Sequence, residues 1–295
     1  MGKDASGGEE GETVTDYVLG VDASFHELTR QQAEDLALAG VAVWVQCLWT
    51  GAVTPKPAQS NLDIAAATGL ITAGYGSLCQ GAQDGLYHAE RTVTAVRSST
   101  WDSLRFVATD VELDGIANTA IREMVDALYV FGKRRVIYTS FGCWVYKQRN
   151  PQDFTDCLLW NANWDAEPDV DFPTLRFGGW KLEQVLGEQW SGGYTFPCGA
   201  YTDRNTFRVD LLKEEPMPNF VVYTEAQRTE ILKVSLRMRE TDGGVAPGKW
   251  QVVWLNFFKG YNVPEAARII PPIPAIAYGD LQTAHAVLPD GTAVF

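Results

Sequence analysis

The chain has 295 residues, enough for one large domain or a large domain with a small companion, and its 46% hydrophobic and 12% aromatic content is that of a folded protein. Its 24 Lys and Arg stand against 37 Asp and Glu, a net charge of −13 that repels nucleic-acid phosphates and anionic lipids but is no obstacle to a neutral glycan. The five cysteines form no C-x-x-C pair, are odd in number and lie mostly in apolar stretches, which points to reduced core thiols rather than zinc or a disulfide framework.

Residues 1–15 are Gly-rich and acidic and lack an apolar h-region, so they read as a flexible tail rather than a secretory signal. No apolar run is long enough to span a membrane. The expectation is synthesis in the cytoplasm, with any extracellular target reached by another route.

From residue 17 the chain alternates short apolar runs with helical stretches. The run 17–22 leads into Thr29-Arg-Gln-Gln32, a capping-box pattern that opens a helix stopping at Gly40. A β-branched run follows at 41–48, then a Pro-containing loop and a second helix from Ser60 to about Gly69. The third strand is expected at 70–75 with a helix somewhere in 84–98, the fourth at 104–112 with a helix from about Asn118 to Gly132, and the fifth at 134–139. Further runs at 157–162, 185–190 and 199–203 bring the strand candidates to eight, joined by short or irregular segments, including an added loop around 192–197.

Near-continuously apolar strands alternating with helices imply a parallel sheet covered by helices, and eight of them allow closure into a (β/α)-barrel, mostly parallel, with irregular later units. An open doubly wound sheet is the alternative, but the first strand is followed by Asp22-Ala-Ser-Phe-His26 instead of a Gly-rich phosphate-binding turn. The barrel is expected over residues 16–213. After 213 the pattern changes to a small α+β or β-rich module at 214–295, with a helix from about 224 to 240 and a strand at 250–258.

Polar side chains at the carboxyl ends of barrel strands share one mouth. Asp22 ends the first run, Asp110 and Glu112 the fourth, and Asp203 the eighth. Strand alternation puts Asp110 and Glu112 on one face, with Val111 on the other. Two carboxylates crowded in a partly dry cleft raise at least one pKa, giving a protonated acid beside an ionised base, as glycosidic cleavage requires. Spacing alone leaves open a solvated pair of acids at a strand end. His26 could reach the mouth, whereas His88 and His285 look bland. No His pair shares a helical face and no G-x-S-x-G elbow is present, so neither a metal, a serine nucleophile nor a cofactor is indicated.

Six segments in order resemble the glycoside hydrolase family 25 lysozymes, the muramidases of phage lysins and bacterial autolysins. They are Gly20-Val-Asp-Ala-Ser24, Thr109-Asp-Val-Glu112, Ile137-Tyr-Thr139 with Trp144, Leu159-Trp-Asn-Ala162, Gln189-Trp-Ser191 and Thr202-Asp-Arg-Asn-Thr-Phe207, spanning roughly residues 17–210. The resemblance implies cleavage of peptidoglycan glycan strands between N-acetylmuramic acid and N-acetylglucosamine. It assigns Glu112 as general acid/base and Asp110 as the partner supporting participation of the substrate acetamido group or attacking directly, with Asp22 and Asp203 completing an acidic floor. Tyr138, Trp160 and Trp190 would line the sugar cleft together with Gln189 and Tyr75; for Trp160, ordinary barrel core is an equal reading. Glu27 and Trp190 depart from the family pattern, which commonly has Gln and Tyr there. An inactive glycan-holding barrel in a virion or on a cell surface, and a hydrolase of chitin-like glycans, are the competing readings. The oligomeric state and the role of 214–295 stay open.

Overall fold

In a computed structural model, described residues are 17–167 and 177–213, together with two short strands, Ala286–Val287 and Ala293–Val294, paired antiparallel. The N-terminal tail, His285 and the expected helix and strand of the C-terminal module lie outside the described residues.

Eight strands close into a barrel in sequential order: β1 (Tyr17–Ala23), β2 (Val41–Trp49), β3 (Ile71–Ser77), β4 (Val107–Asp110), β5 (Arg135–Ser140), β6 (Leu158–Ala162), β7 (Val185–Thr195) and β8 (Tyr201–Arg208). Helices α1 (Arg30–Leu38), α2 (Ala58–Ala67), α3 (Gly85–Val93), α4 (Ser98–Ser103) and α5 (Asn118–Val130) cover the first half, and α6 (Val209–Leu212) follows β8. Local chemistry explains the boundaries. Thr29 and Gln32 form the expected reciprocal capping box on α1. Helix α2 starts two residues before Ser60, because Pro57 already holds a helical φ of −80° at its N-cap. The interval 84–98 yields α3, capped by the Asp84 side chain, and α4 begins at its far end.

Strands β1 to β7 run parallel and β8 runs antiparallel to both β7 and β1. The cause is the connection. Thr195 and Tyr201 are register partners joined by a tight turn with Gly199 at φ +82°, far too short for the crossover a parallel pair needs. The anticipated added loop at 192–197 is therefore the end of β7 and the start of this hairpin. Asp203 consequently lies near the amino end of its strand, and the reversed direction brings that end to the mouth.

Alternation along each strand separates two cores. Outward residues such as Trp44, Val107, Ile137 and Leu159 pack in the layer shared with the helices. Inward residues such as Val45, Phe106, Tyr138, Trp160 and Phe207 fill the barrel. Phe207 takes so much of the interior that a Cβ at either Gly20 or Gly187 would stand 2.4 Å from its ring, so β1 and β7 carry glycine where they pass it. Above this aromatic layer the inward positions become polar, and that change marks the mouth.

Candidate active site

A cavity of about 400 Å³ opens at the mouth, and Asp22, Asp110, Glu112 and Asp203 all line it, with Tyr75, Tyr138, Trp160 and Gln189. The structure thus brings together eight of the nine residues singled out from the sequence. The ninth, Trp190, is buried elsewhere: it has the parity opposite to Gln189, and the Arg204 guanidinium lies 4.0 Å from its ring centroid. Trp160 is 1% exposed, packs within 4.6 Å of Tyr138 between ring centroids, and serves as floor rather than wall.

The four acids are held differently. Asp22 and Asp203 face each other across the antiparallel β1–β8 ladder. Gln189 spans them, its Nε2 donating to Asp22 Oδ2 at 2.9 Å and Asp203 Oδ2 at 3.3 Å. Its direction is fixed because Oε1 accepts from the Tyr138 hydroxyl and from the Trp164 indole N–H, each at 2.7 Å. Asn205 repeats the device, accepting Trp160 N–H at 2.9 Å and donating to Asp22 Oδ2 at 2.7 Å. Burial, reinforced by the Asp203 charge, nevertheless raises Asp22 to about 7. Burial also raises Asp203, against the pull of the Gly193 N–H, which donates to it at 2.6 Å.

Asp110, in register with Ser77 on β3 and Tyr138 on β5, accepts the Ser77 hydroxyl at 2.5 Å through Oδ2. Its Oδ1 is buried without a hydrogen-bond partner, in a residue that lines the cavity. Burial, then the neighbouring Glu112 charge, holds this carboxyl well above the usual range.

Strand β4 ends at Asp110, so Glu112 sits in the following loop, and alternation within a strand is not what places it in the cavity. Neighbours do so. Val111 N–H donates to Tyr138 O and Val111 O accepts from the Thr139 hydroxyl. Just beyond, a single π-helical turn at Cys143–Lys147 brings Lys147 Nζ to Glu112 O at 2.8 Å, while Gln148 donates to Leu113 O at 2.7 Å. Burial raises the Glu112 pKa, the Lys147 charge opposes this, and Asp203 adds to it. The site is therefore a cluster of four carboxyls whose pKa values burial raises, next to an aromatic floor and an Asp110 oxygen without a hydrogen-bond partner.

Sequence reasoning did not single out Ser77, Lys147 or Trp164. Ser77 and Lys147 act through contacts 33 and 35 residues away in the chain, and no local pattern reveals them. Trp164 falls two residues after the Leu159-Trp-Asn-Ala162 segment, but nothing local distinguishes it from other aromatics. His88, by contrast, is a core residue: its Nδ1 accepts Trp49 N–H at 2.9 Å, and Cys79 Sγ lies 3.5 Å from Nε2. His26 is half-buried, its backbone carbonyl accepting from Asn61, and does not line the cavity.

No known family profile and no curated protein matches the sequence. The fold, however, is that of family 25 lysozymes. A muramidase from Trichobolus zukalii superposes with a TM-score of 0.52 at 19% identity, over 66% of this chain and 96% of that one. A family GH25 lysozyme from Aspergillus fumigatus gives 0.51 at 18%, over 74% and 98%. The catalytic domain of an endolysin from a Listeria monocytogenes bacteriophage gives 0.52 at 17%, over 68% and 97%.

Proposed function

We propose that this chain is a peptidoglycan hydrolase that cleaves the β-1,4 bond between N-acetylmuramic acid and N-acetylglucosamine, with Glu112 as general acid/base. The observation that carries the reading is the convergence of Asp22, Asp110, Glu112 and Asp203 on one cavity, in a barrel shaped like known muramidases. A glycosidase needs a carboxyl that keeps its proton near neutrality and can surrender it to the leaving oxygen. Glu112 fits: it is partly buried, raised in pKa, yet open to the cavity and steadied by Lys147.

In this mechanism the substrate's own acetamido oxygen attacks the anomeric carbon as the glycosidic C–O bond breaks; Glu112 gives its proton to the departing oxygen, so the leaving sugar goes as an alcohol and a cyclic oxazolinium ion remains. Asp110 acts in its ionised form, accepting the acetamido N–H through the unpartnered Oδ1 and stabilising the positive charge as it develops. Glu112, now ionised, takes a proton from water, the water oxygen adds to the anomeric carbon, and the ring opens with retained configuration. Asp22 and Asp203, bridged by Gln189, keep the floor acidic and fix the cavity shape. We propose further that residues 16–213 form the catalytic unit, that 214–295 form a separate module, and that the enzyme acts at the bacterial cell wall as a phage lysin or an autolysin.

The test is the product. Purified peptidoglycan incubated with the chain should yield new reducing ends at N-acetylmuramic acid, read by borohydride reduction and mass spectrometry. Reducing ends at N-acetylglucosamine, or peptide fragments alone, would reject the bond assignment. Retention of glycan on the protein with no new reducing ends would instead identify a binding barrel.

A further inference from the structure

The three aspartates at the mouth are held unequally. Asp22 accepts from Gln189 and Asn205, and Asp203 from Gln189 and the Gly193 N–H. Among the described residues Asp110 has one hydrogen-bond donor, the Ser77 hydroxyl, 2.5 Å from Oδ2, and its Oδ1 has none. A buried carboxyl with a single donor owes to it both its orientation and much of its readiness to ionise.

Ser77 reaches Asp110 because its backbone is fixed from several sides. Inward positions of β3 alternate as Ala73, Tyr75 and Ser77, and the register sets Ser77 beside Asp110. Leu78 N–H then donates to Asp110 O at 3.1 Å. On the outer side, a Cβ at Gly76 would stand 2.0 Å from Thr92 Oγ1 and 2.9 Å from Met124 Cε, so glycine lets the strand end lie directly against α3 and α5. The Ser77 carbonyl faces the ring of His88, a buried histidine that the proposed reaction does not use. That ring is fixed in turn: Nδ1 accepts the Trp49 N–H at 2.9 Å, so the ring proton lies on Nε2, the nitrogen 3.5 Å from Cys79 Sγ.

We infer that Ser77 is a positioning residue: its hydroxyl holds Oδ2 of Asp110 and so reserves Oδ1 for the substrate acetamido N–H, with the Trp49–His88 pair as the backing of the strand end. The inference deepens the proposed hydrolase reading and rests on it for the role of Asp110. A hydroxyl donating to an ionised carboxylate forms a charge-assisted bond that weakens when the acid gains a proton. The bond that aims Asp110 therefore also favours the ionised form the reaction needs. Burial and the Glu112 and Asp22 charges oppose it, and Cys47, Tyr75 and Tyr138 face Asp110 from β2, β3 and β5.

Ser77→Ala removes the hydroxyl and Ser77→Thr keeps it. On soluble peptidoglycan fragments, Ser77→Ala should lower kcat about tenfold while KM stays within about threefold of the parent. The acid limb of its pH–rate profile should move to higher pH, because Asp110 loses the donor that lowers its pKa. Ser77→Thr should keep kcat within about threefold of the parent and leave the limb in place. An unchanged kcat or an unmoved limb in Ser77→Ala overturns the inference, and so does an equal loss in Ser77→Thr, which would reduce the position to cavity shape. The carboxyl is read without turnover by NMR titration of isotope-labelled aspartates, the Asp110 signal being assigned by its loss in Asp110→Asn. Its midpoint should be higher in Ser77→Ala than in the parent; equal midpoints overturn the inference. If the parent chain cleaves no glycan, the hydrolase reading fails, and this titration still decides whether Ser77 governs the Asp110 carboxyl.

Discussion

Asp22→Asn should stabilise the fold, and only above the pH range where Asp22 is protonated in both folded and unfolded chains. Asp22 is 4% exposed and its pKa is raised from 3.8 to about 7, by burial first and then by the Asp203 charge. The sign follows from linkage: a carboxyl with a raised folded pKa favours folding fully below pH 3.8, and this contribution is lost as pH climbs through about 7. At about 1.36 kcal/mol per pH unit, the parent forfeits roughly 4 kcal/mol over this window, as an upper figure. Asn cannot ionise, and its side chain can still accept the Gln189 and Asn205 N–H groups. Urea unfolding of parent and variant from pH 4 to pH 8 should show a difference that grows by a few kcal/mol with pH. A difference that is constant with pH, or that falls, would refute the burial of a reluctant charge at this position.

Replacing Lys147 by Met removes the cation that lowers the Glu112 pKa, so the alkaline limb of the pH–rate profile should move to higher pH, and Lys147→Arg should restore it. An unmoved profile with intact activity would detach Lys147 from the acid. Gly20→Ala should cost about 1–3 kcal/mol, measured by thermal unfolding, because the added methyl meets the Phe207 ring; the double change Gly20→Ala/Phe207→Leu should recover part of that loss. Gln189→Leu leaves the buried Tyr138 hydroxyl without its acceptor, a cost of roughly 1–3 kcal/mol in the same assay, and strips one donor from Asp22. A variant as stable as the parent would show that Gln189 does not bind this floor together.

Much of the barrel was readable because its signals are local. The Thr29–Gln32 box, the glycines ending helices, and the apolar strand runs act over a few residues, and they set the order in which the acids arrive at the mouth. Direction around the last strands was readable in principle: the few residues between β7 and β8 admit only a hairpin, and the parity of Gln189 excludes Trp190 from its side of the sheet. The position of Glu112 was reached by the wrong cause, since the ladder stops at Asp110 and the loop is fixed by Thr139, Lys147 and Gln148 from the next unit. Ser77 and Trp164 gave no sign because their roles arise from contacts across the barrel. A serine or an aromatic has no local pattern that tells which partner the closed sheet will set beside it.

Release of reducing ends from purified peptidoglycan by Glu112→Gln, beside the parent and at matched thermal stability, tests the central assignment most directly. Loss of a general acid should lower the rate about 10²-fold or more with the fold intact. A folded Glu112→Gln protein that still releases reducing ends at the parent rate would contradict it.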